Sequence, residues 1–297
     1  MKVANAPCSW GVLEFDLEGQ SAGYAQVLDE IAQSGYAGTE LGDFGFMPTD
    51  PIVLRQELGR RNLSMLAAFV PIDLSNPAAH ADSVEQALRM ATLLSQVSDN
   101  PFIVLSDENG KNETRRKLAG RIEKVNQLTD QQWKTFTTQA EFIAAAVFDK
   151  TEVKTVFHHH CGGFVETPEE IERFLQGTDP LLLGLCLDTG HYTFGGGNAS
   201  KALDKFADRI WHVHFKDCQP EIAQKSRTQG WDYFESVKNG VFCELGQGEV
   251  DFGALVALLK KQDYTGWIVV EQDVLPGMGS PLESAIRNRK YLQKLGL

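Results

Sequence analysis

A short apolar run followed by an amphipathic helical stretch recurs eight times along this chain. That repetition limits the possible folds more than any other feature. The runs span residues 2–9, 36–41, 63–70, 102–106, 154–160, 181–188, 209–216 and 267–271. From the fourth onward most are continuously apolar, the pattern of parallel strands covered on both faces. The intervening segments carry apolar residues at helical spacing: Tyr24, Val27, Leu28, Ile31 and Ala32; Val84, Ala87, Leu88, Ala91 and Leu94; Trp133, Phe136, Ala140, Ile143 and Val147. Leu255 to Leu259 and Leu282 to Leu292 continue the pattern. Thr167-Pro168-Glu169-Glu170 reads as a helix start, with a Thr cap, Pro at the first position and acids in the first turn. Eight strand–helix units in 297 residues predict a (β/α)8 TIM barrel, one domain over residues 1–297. The doubly wound alternative lacks its signature, because the turn after the first strand, Cys8-Ser9-Trp10-Gly11-Val12, is not a G-x-G-x-x-G loop.

Two connections are long, at about residues 107–130 after strand four and 217–250 after strand seven. The second reads as irregular, with Gly230, Gly240, Gly246 and Gly248. In a barrel both would lie on the C-terminal face, where active sites sit.

Composition narrows the partners. With 28 Lys+Arg against 40 Asp+Glu the net charge is −12, which argues against nucleic acid or an anionic membrane surface as partner. No run of about 18 apolar residues could span a bilayer. The five cysteines are widely spaced without a C-x-x-C, and the first residues lack the apolar core of a signal peptide, so a cytoplasmic protein with reduced thiols is expected.

Chemistry gathers at the strand ends. Six of the seven histidines fall there: His158-His159-His160 on strand five, His191 just after strand six, His212 and His214 on strand seven. Asp188 ends strand six and Glu271 ends strand eight. Strand ends of a barrel converge, so one imidazole or carboxylate from each of four neighbouring strands makes a mixed N/O metal site. This reading assigns His158, Asp188, His214 and Glu271 as metal ligands. Such a donor set suits Mn²⁺, Co²⁺, Fe²⁺ or Zn²⁺ better than Ca²⁺. Strand alternation puts His158 and His160 on one face, with His158 favoured as ligand and His160 as the substrate contact; the reverse order stays open.

The motifs Gly38-Thr39-Glu40-Leu41-Gly42, HHHCGG at 158–163, DTGH at 188–191, HVHFKD at 212–217, GQGEVDF at 246–252, YTGWIVVEQD at 264–273 and PLESAIRNRKYL at 281–292 cover nearly the whole chain. In them the chain resembles the xylose-isomerase-like barrels, the group of sugar isomerases, epimerases and dehydratases, and within it the inosose dehydratase branch. The resemblance implies one divalent metal, with Mn²⁺ or Co²⁺ favoured and Zn²⁺, Fe²⁺ or Mg²⁺ open. It carries ligands onto Asp188, His214 and Glu271. The strand-five Glu of the epimerases is absent, and His158 stands roughly in its place; Glu166 is the alternative ligand there.

These readings imply a metal-dependent hydro-lyase that removes water from a cyclic keto-polyol through a stabilised enolate. The same first half-reaction serves the alternative, a ketose isomerase or epimerase. A sugar-binding protein without turnover would need neither Lys216 nor the His pair. A DNA phosphodiesterase would need more metal ligands and a basic face. The expected catalytic residues are His160, Lys216 and Glu271, with His160 or Lys216 moving the proton and the lysine's pKa lowered beside a metal. Trp10, Glu40, His191 and Arg227 are expected to bind substrate. The partner is a small sugar or cyclitol ketone, and barrels of this group often form homo-oligomers.

Overall fold

A computed structural model describes residues 1–12, 22–274 and 278–297. Eight parallel strand positions alternate with helices among these residues: β1 (Lys2–Asn5), β2 (Gly38–Thr39), β3 in two segments (Ser64–Met65 and Ala67–Ile72), β4 (Phe102–Asp107), β5 (Lys154–His158), β6 (Leu183–Asp188), β7 (Ile210–Phe215) and β8 (Trp267–Val270). Each pairs in parallel with its sequence neighbour, and β1 pairs with β8. Leu66, between the two segments of β3, closes the ring. Its N–H donates to Thr39 O at 3.0 Å on one side, and its carbonyl accepts from Phe102 N at 2.9 Å on the other. The fold is a (β/α)8 barrel.

The predicted strands differ from the observed ones mainly at their ends. β1 stops at Asn5 because Pro7 opens a 3-10 turn over Pro7–Trp10. β5 stops at His158 because the chain folds back, His160 N donating to Val165 O at 3.1 Å. The helix start at Thr167 is as read. Its side chain caps Pro168–Gln176, and Glu170 completes the capping box. The loop after β7 is more regular than its glycines suggest. It holds helices Pro220–Gln229 and Tyr233–Lys238, and an antiparallel ribbon of Asp217–Cys218 with Phe242–Cys243.

Inside the barrel an apolar layer of Ala4, Leu66, Ala67, Val104, Val156, Cys186 and Val269 fills the middle. Outside, a larger cluster packs Val213, Phe215, Leu185 and Leu187 against helical residues such as Phe136, Phe174 and Phe252. All five cysteines are free thiols, and among the described residues no helix is long and apolar enough to cross a membrane.

Candidate metal centre and active-site cleft

Strand periodicity places the candidate ligands. His158, Asp188 and Glu271 each follow a residue of the apolar layer by two: Val156, Cys186 and Val269. Two residues along a strand is one step up the same face, so all three point inward, just above the apolar layer. His214 reaches the same level, because it pairs in register with Asp188 and Val269. The four side chains are buried, and one donor atom from each lies within 4.8 Å of the others. Asp188 Oδ2 stands 3.6 Å from His158 Nε2, and His214 Nδ1 stands 3.2 Å from Glu271 Oε2, neither pair aligned as a hydrogen bond. Asp188 Oδ2 and His214 Nδ1 are therefore buried polar atoms without a hydrogen-bond partner, facing the same small space. Buried polar atoms are seldom left so. Two imidazoles and two carboxylates fit a divalent ion of the Mn²⁺ to Zn²⁺ type.

Charge in the centre favours a cation. Burial alone would lower the pKa of His214, but Cys186, Glu271 and Glu40 around the ring raise it well above the usual histidine range. Burial would raise that of Asp188, yet Lys216, His191 and His158 hold it well below the usual carboxylate range.

Glu40, expected as a substrate contact, borders the cleft and also holds two histidines. It is buried at the end of β2, and its Oε1 accepts from His212 Nε2 at 2.8 Å and from His214 Nε2 at 3.0 Å. The carboxylate fixes the ring of His214 and leaves its Nδ1 toward His158, Asp188 and Glu271, as carboxylates behind metal-binding histidines do.

The cleft opens above the ligands. It is lined by Pro7, Cys8, Val12 and Phe69 on an apolar side and by His158, His160, Lys216, Tyr233, Glu271 and Asp273 on a polar one. Within the His triplet, His159 turns away, its Nε2 accepting from Asp188 N at 3.2 Å. His160 faces the cleft with Nδ1 on Cys161 O at 2.7 Å and Nε2 at 3.3 Å from Tyr233 Oη. Burial, then the charges of His158 and Lys216, hold its pKa well below the usual histidine range, so the ring is neutral.

Lys216 departs from expectation. Its Nζ lies 2.9 Å from Asp273 Oδ1, 3.2 Å from Glu271 Oε2, 3.4 Å from Asp188 Oδ2 and 3.1 Å from His191 Nε2. Burial would lower its pKa, but Asp188, Asp273 and Glu271 outweigh burial and raise it, so the lysine is a firmly held ammonium.

The packing explains why the DTGH and HVHFKD motifs travel together. Thr189 Oγ1 donates to Lys216 O at 2.7 Å and accepts from Lys216 N at 3.0 Å. A Cβ on Gly190 would stand 2.6 Å from Lys216 Cγ, so glycine makes room for the lysine stem. Asp217 anchors the loop: its carboxylate accepts from the N–H groups of Cys218, Gly246, Gly248 and Val250, which accounts for the GQGEV run.

Three expected site residues lie elsewhere. Trp10 does not line the cleft; it is buried in the core with Nε1 donating to Glu30 Oε2 at 2.6 Å. Pro7 and Val12, on either side of it, form the apolar wall instead. Arg227 is held away by Gly120 O at 3.1 Å and Phe194 O at 3.0 Å, tying two rim loops together. His191 is fully buried behind Lys216, with Nδ1 accepting from Cys161 N at 3.3 Å, and does not border the cleft. The alternative ligand Glu166 is engaged by the N–H groups of Gly120 at 2.6 Å and Gly162 at 2.8 Å and stands outside the ligand group. Asp273 and Tyr233 were not assigned from sequence. Asp273 shares the inward face of Glu271, two residues on, and that spacing could have found it. Tyr233 sits in a loop helix that carries no such signal.

Comparison with known proteins fits this geometry. The family described as xylose isomerase-like TIM barrel matches residues 28–295. The chain belongs to that family. It is 32% identical over 290 residues to the inosose dehydratase of Bacillus licheniformis, covering 97% of this chain and 94% of that one. Of solved structures, the probable 3-DHS dehydratase AsbF of Bacillus anthracis superposes with a TM-score of 0.73 at 14% identity over 99% of both chains. The IOLI protein with a binding zinc atom gives 0.70 at 15% identity, over 99% of this chain and 98% of that one. Identities this low speak for the fold alone. The full-length relatives mark this member of the family as a lyase of the dehydratase kind.

Proposed function

We propose that this protein is a divalent-metal-dependent dehydratase that removes water from a cyclic keto-polyol of the inosose class. The observation that carries the reading is the set of four converging donors in a chain whose full-length relatives are named inosose dehydratase. His158, Asp188, His214 and Glu271 would hold the metal. A divalent ion there supplies Lewis-acid stabilisation of the charge that develops on a ketone oxygen when the neighbouring C–H is ionised.

The chain's own groups do the rest. His160, neutral and facing the cleft, takes the proton from the carbon next to the ketone. The β C–O bond then breaks, the electron pair of the former C–H bond forms the new double bond, and the His160 imidazolium returns its proton to the departing hydroxyl. Water leaves, and His160 is neutral again. Tyr233 Oη, donating to Asp273 Oδ2 at 3.0 Å, keeps its oxygen lone pairs toward His160 and steadies the imidazolium. Lys216 is too strongly held as an ammonium to act as the base. It supplies fixed positive charge between Asp188, Glu271 and Asp273. Pro7, Val12 and Phe69 keep water from the opposite side of the ring.

The test is turnover. Chelator-stripped protein reloaded with Mn²⁺ is mixed with inosose in D₂O and followed by proton NMR. The expected result is loss of water to the unsaturated or diketo product, absent without metal and absent in His160→Ala. Exchange at the α-carbon without loss of water would favour the isomerase reading. Intact, unexchanged inosose would contradict both for this substrate.

A further inference from the structure

Among the described residues the largest fully buried side chain belongs to Arg115, in the long loop after β4. Its guanidinium meets the Glu170 carboxylate as a fork, Nη1 on Oε1 and Nη2 on Oε2, each at 2.8 Å. A buried ion pair is a weak source of stability, because desolvating two charges offsets most of their attraction. What such a pair does well is fix geometry, since the planar fork accepts a carboxylate in one orientation.

The pair holds the turn that carries His160. Arg115 Nε donates to Gly163 O at 2.7 Å. Glu170 Oε2 accepts from Glu166 N and Thr167 N, each at 3.0 Å. Between these anchors His160 N donates to Val165 O at 3.1 Å, and His160 O accepts from Gly163 N at 3.2 Å. The backbone of His160 is thus bonded on both sides to the segment that the ion pair grips. The same loop adds two clamps: Gly110 N donates to Gly162 O at 3.2 Å, and Asp107 Oδ2 accepts from Phe164 N at 3.0 Å. A Cβ on Gly163 would strike Asn109 Oδ1, so the second glycine of HHHCGG lets the loop close on the turn. His158 is held differently. It ends β5 in register with Ser106 and Cys186, so the sheet fixes that candidate ligand while the ion pair fixes its neighbour two residues on.

We propose that Arg115, locked by Glu170, is a positioning residue for His160, setting the turn 160–167 so that the imidazole meets the substrate C–H. The proposal rests on the assignment of His160 as the base given above. Neither Arg115 nor Glu170 lines the cleft, so both act through the backbone of the turn. The long loop after β4 is then a clamp behind the base.

The test separates positioning from folding. Wild type, Arg115→Lys, Gly163→Ala and the double variant Arg115→Met with Glu170→Met are loaded with Mn²⁺, and bound metal is counted. Loss of water from inosose and exchange of its α-proton in D₂O are followed well below the melting temperature, with rates expressed per metal-loaded chain. Lys keeps a charge opposite Glu170 but lacks the fork and the Nε bond. Gly163→Ala displaces the turn from the Asn109 side and leaves the ion pair in place. Each variant should bind one ion, as wild type does. Arg115→Lys and Gly163→Ala should lose about tenfold in kcat at unchanged KM, and the double variant about 10²-fold in kcat and in α-exchange alike, the scale of a misplaced catalytic group. Full kcat per metal-loaded chain in Arg115→Lys and Gly163→Ala, with a lower melting temperature as the only change, overturns the proposal. Loss of bound metal in these two variants overturns it as well, because the turn would then be serving the ligands and not the base. If the double variant does not fold, the two single variants decide. Wild type that binds metal yet neither dehydrates inosose nor exchanges its α-proton contradicts the dehydratase reading itself, and the proposal falls with it.

Discussion

The same strands build two opposite environments one step apart. At the level of Val104, Val156, Cys186 and Val269 the barrel interior is apolar and close-packed. Two residues further along β5, β6 and β8 it holds His158, Asp188 and Glu271, buried and titratable. The lower layer contributes stability by removing apolar surface from water. The upper layer gathers charges whose desolvation is costly, and they are held only because Lys216, Glu40 and the backbone supply partners. β7 breaks the rule. His212 pairs in register with Cys186 at the apolar level, yet its ring reaches up to Glu40, linking the lower layer to the candidate ligand His214. Fold and site thus differ by height in the barrel, and among the described residues His212 and Cys186, whose thiol stands against His158 and His214, connect the two levels.

Substitutions at the two levels should therefore read out differently. The largest effect is expected from Glu271→Ala, which removes a donor from the centre. Metal binding measured by calorimetry should be lost, and kcat/KM should fall on the order of 10³-fold or more, since the ion's charge stabilisation is worth several kcal/mol.

Asp107 tests whether buried charge on the upper rim costs stability outside the metal group. Burial, then the nearby Asp73, raises its pKa to about 7 from the ordinary 3.8. The native state keeps a proton that the unfolded chain has already released, so stability falls as pH rises from about 4 through 7. Asp107→Asn should remove that dependence. Between pH 5 and pH 8 urea denaturation should show the variant gaining on the order of 2–3 kcal/mol relative to wild type.

Val156→Ala should act in the opposite sense to Glu271→Ala. Truncation in the apolar layer should cost about 2 kcal/mol of stability by leaving a cavity, with metal stoichiometry unchanged. If it weakens metal binding as strongly as it weakens the fold, the separation by height is wrong.

Glu40→Gln addresses the connection. The amide cannot accept from both histidines with a full negative charge, so metal affinity should drop roughly 10- to 100-fold while the melting temperature changes little. Trp10→Phe should have the smallest effect. Losing the indole hydrogen bond to Glu30 should cost about 1 kcal/mol, and KM should not move, because the side chain stands in the core and not in the cleft.

The parts legible in the sequence were those governed by local rules. Period-two alternation locates the strands, and convergence of strand ends alone brings His158, Asp188, His214 and Glu271 to one place. Residues whose roles depend on distant partners were harder. Glu40 meets His212 and His214 across more than 170 residues, and nothing local distinguishes a carboxylate that orients a ligand from one that binds substrate. Lys216 was read with a lowered pKa because only a neighbouring cation was considered. The three carboxylates that reverse the shift come from β6 and from the end of β8. Trp10 and Arg227 were placed by their position near the rim, and side-chain direction within a turn or a loop helix follows no two-residue rule. Tyr233 was missed for the same reason.

The most direct measurement is a crystal of the Mn²⁺-loaded protein with data collected at the manganese edge. This account predicts one strong anomalous peak per chain, at coordination distance, roughly 2.0–2.3 Å, from His158, Asp188, His214 and Glu271. A peak bound instead by Cys8 and Asp273, or no peak inside the barrel mouth, would contradict it.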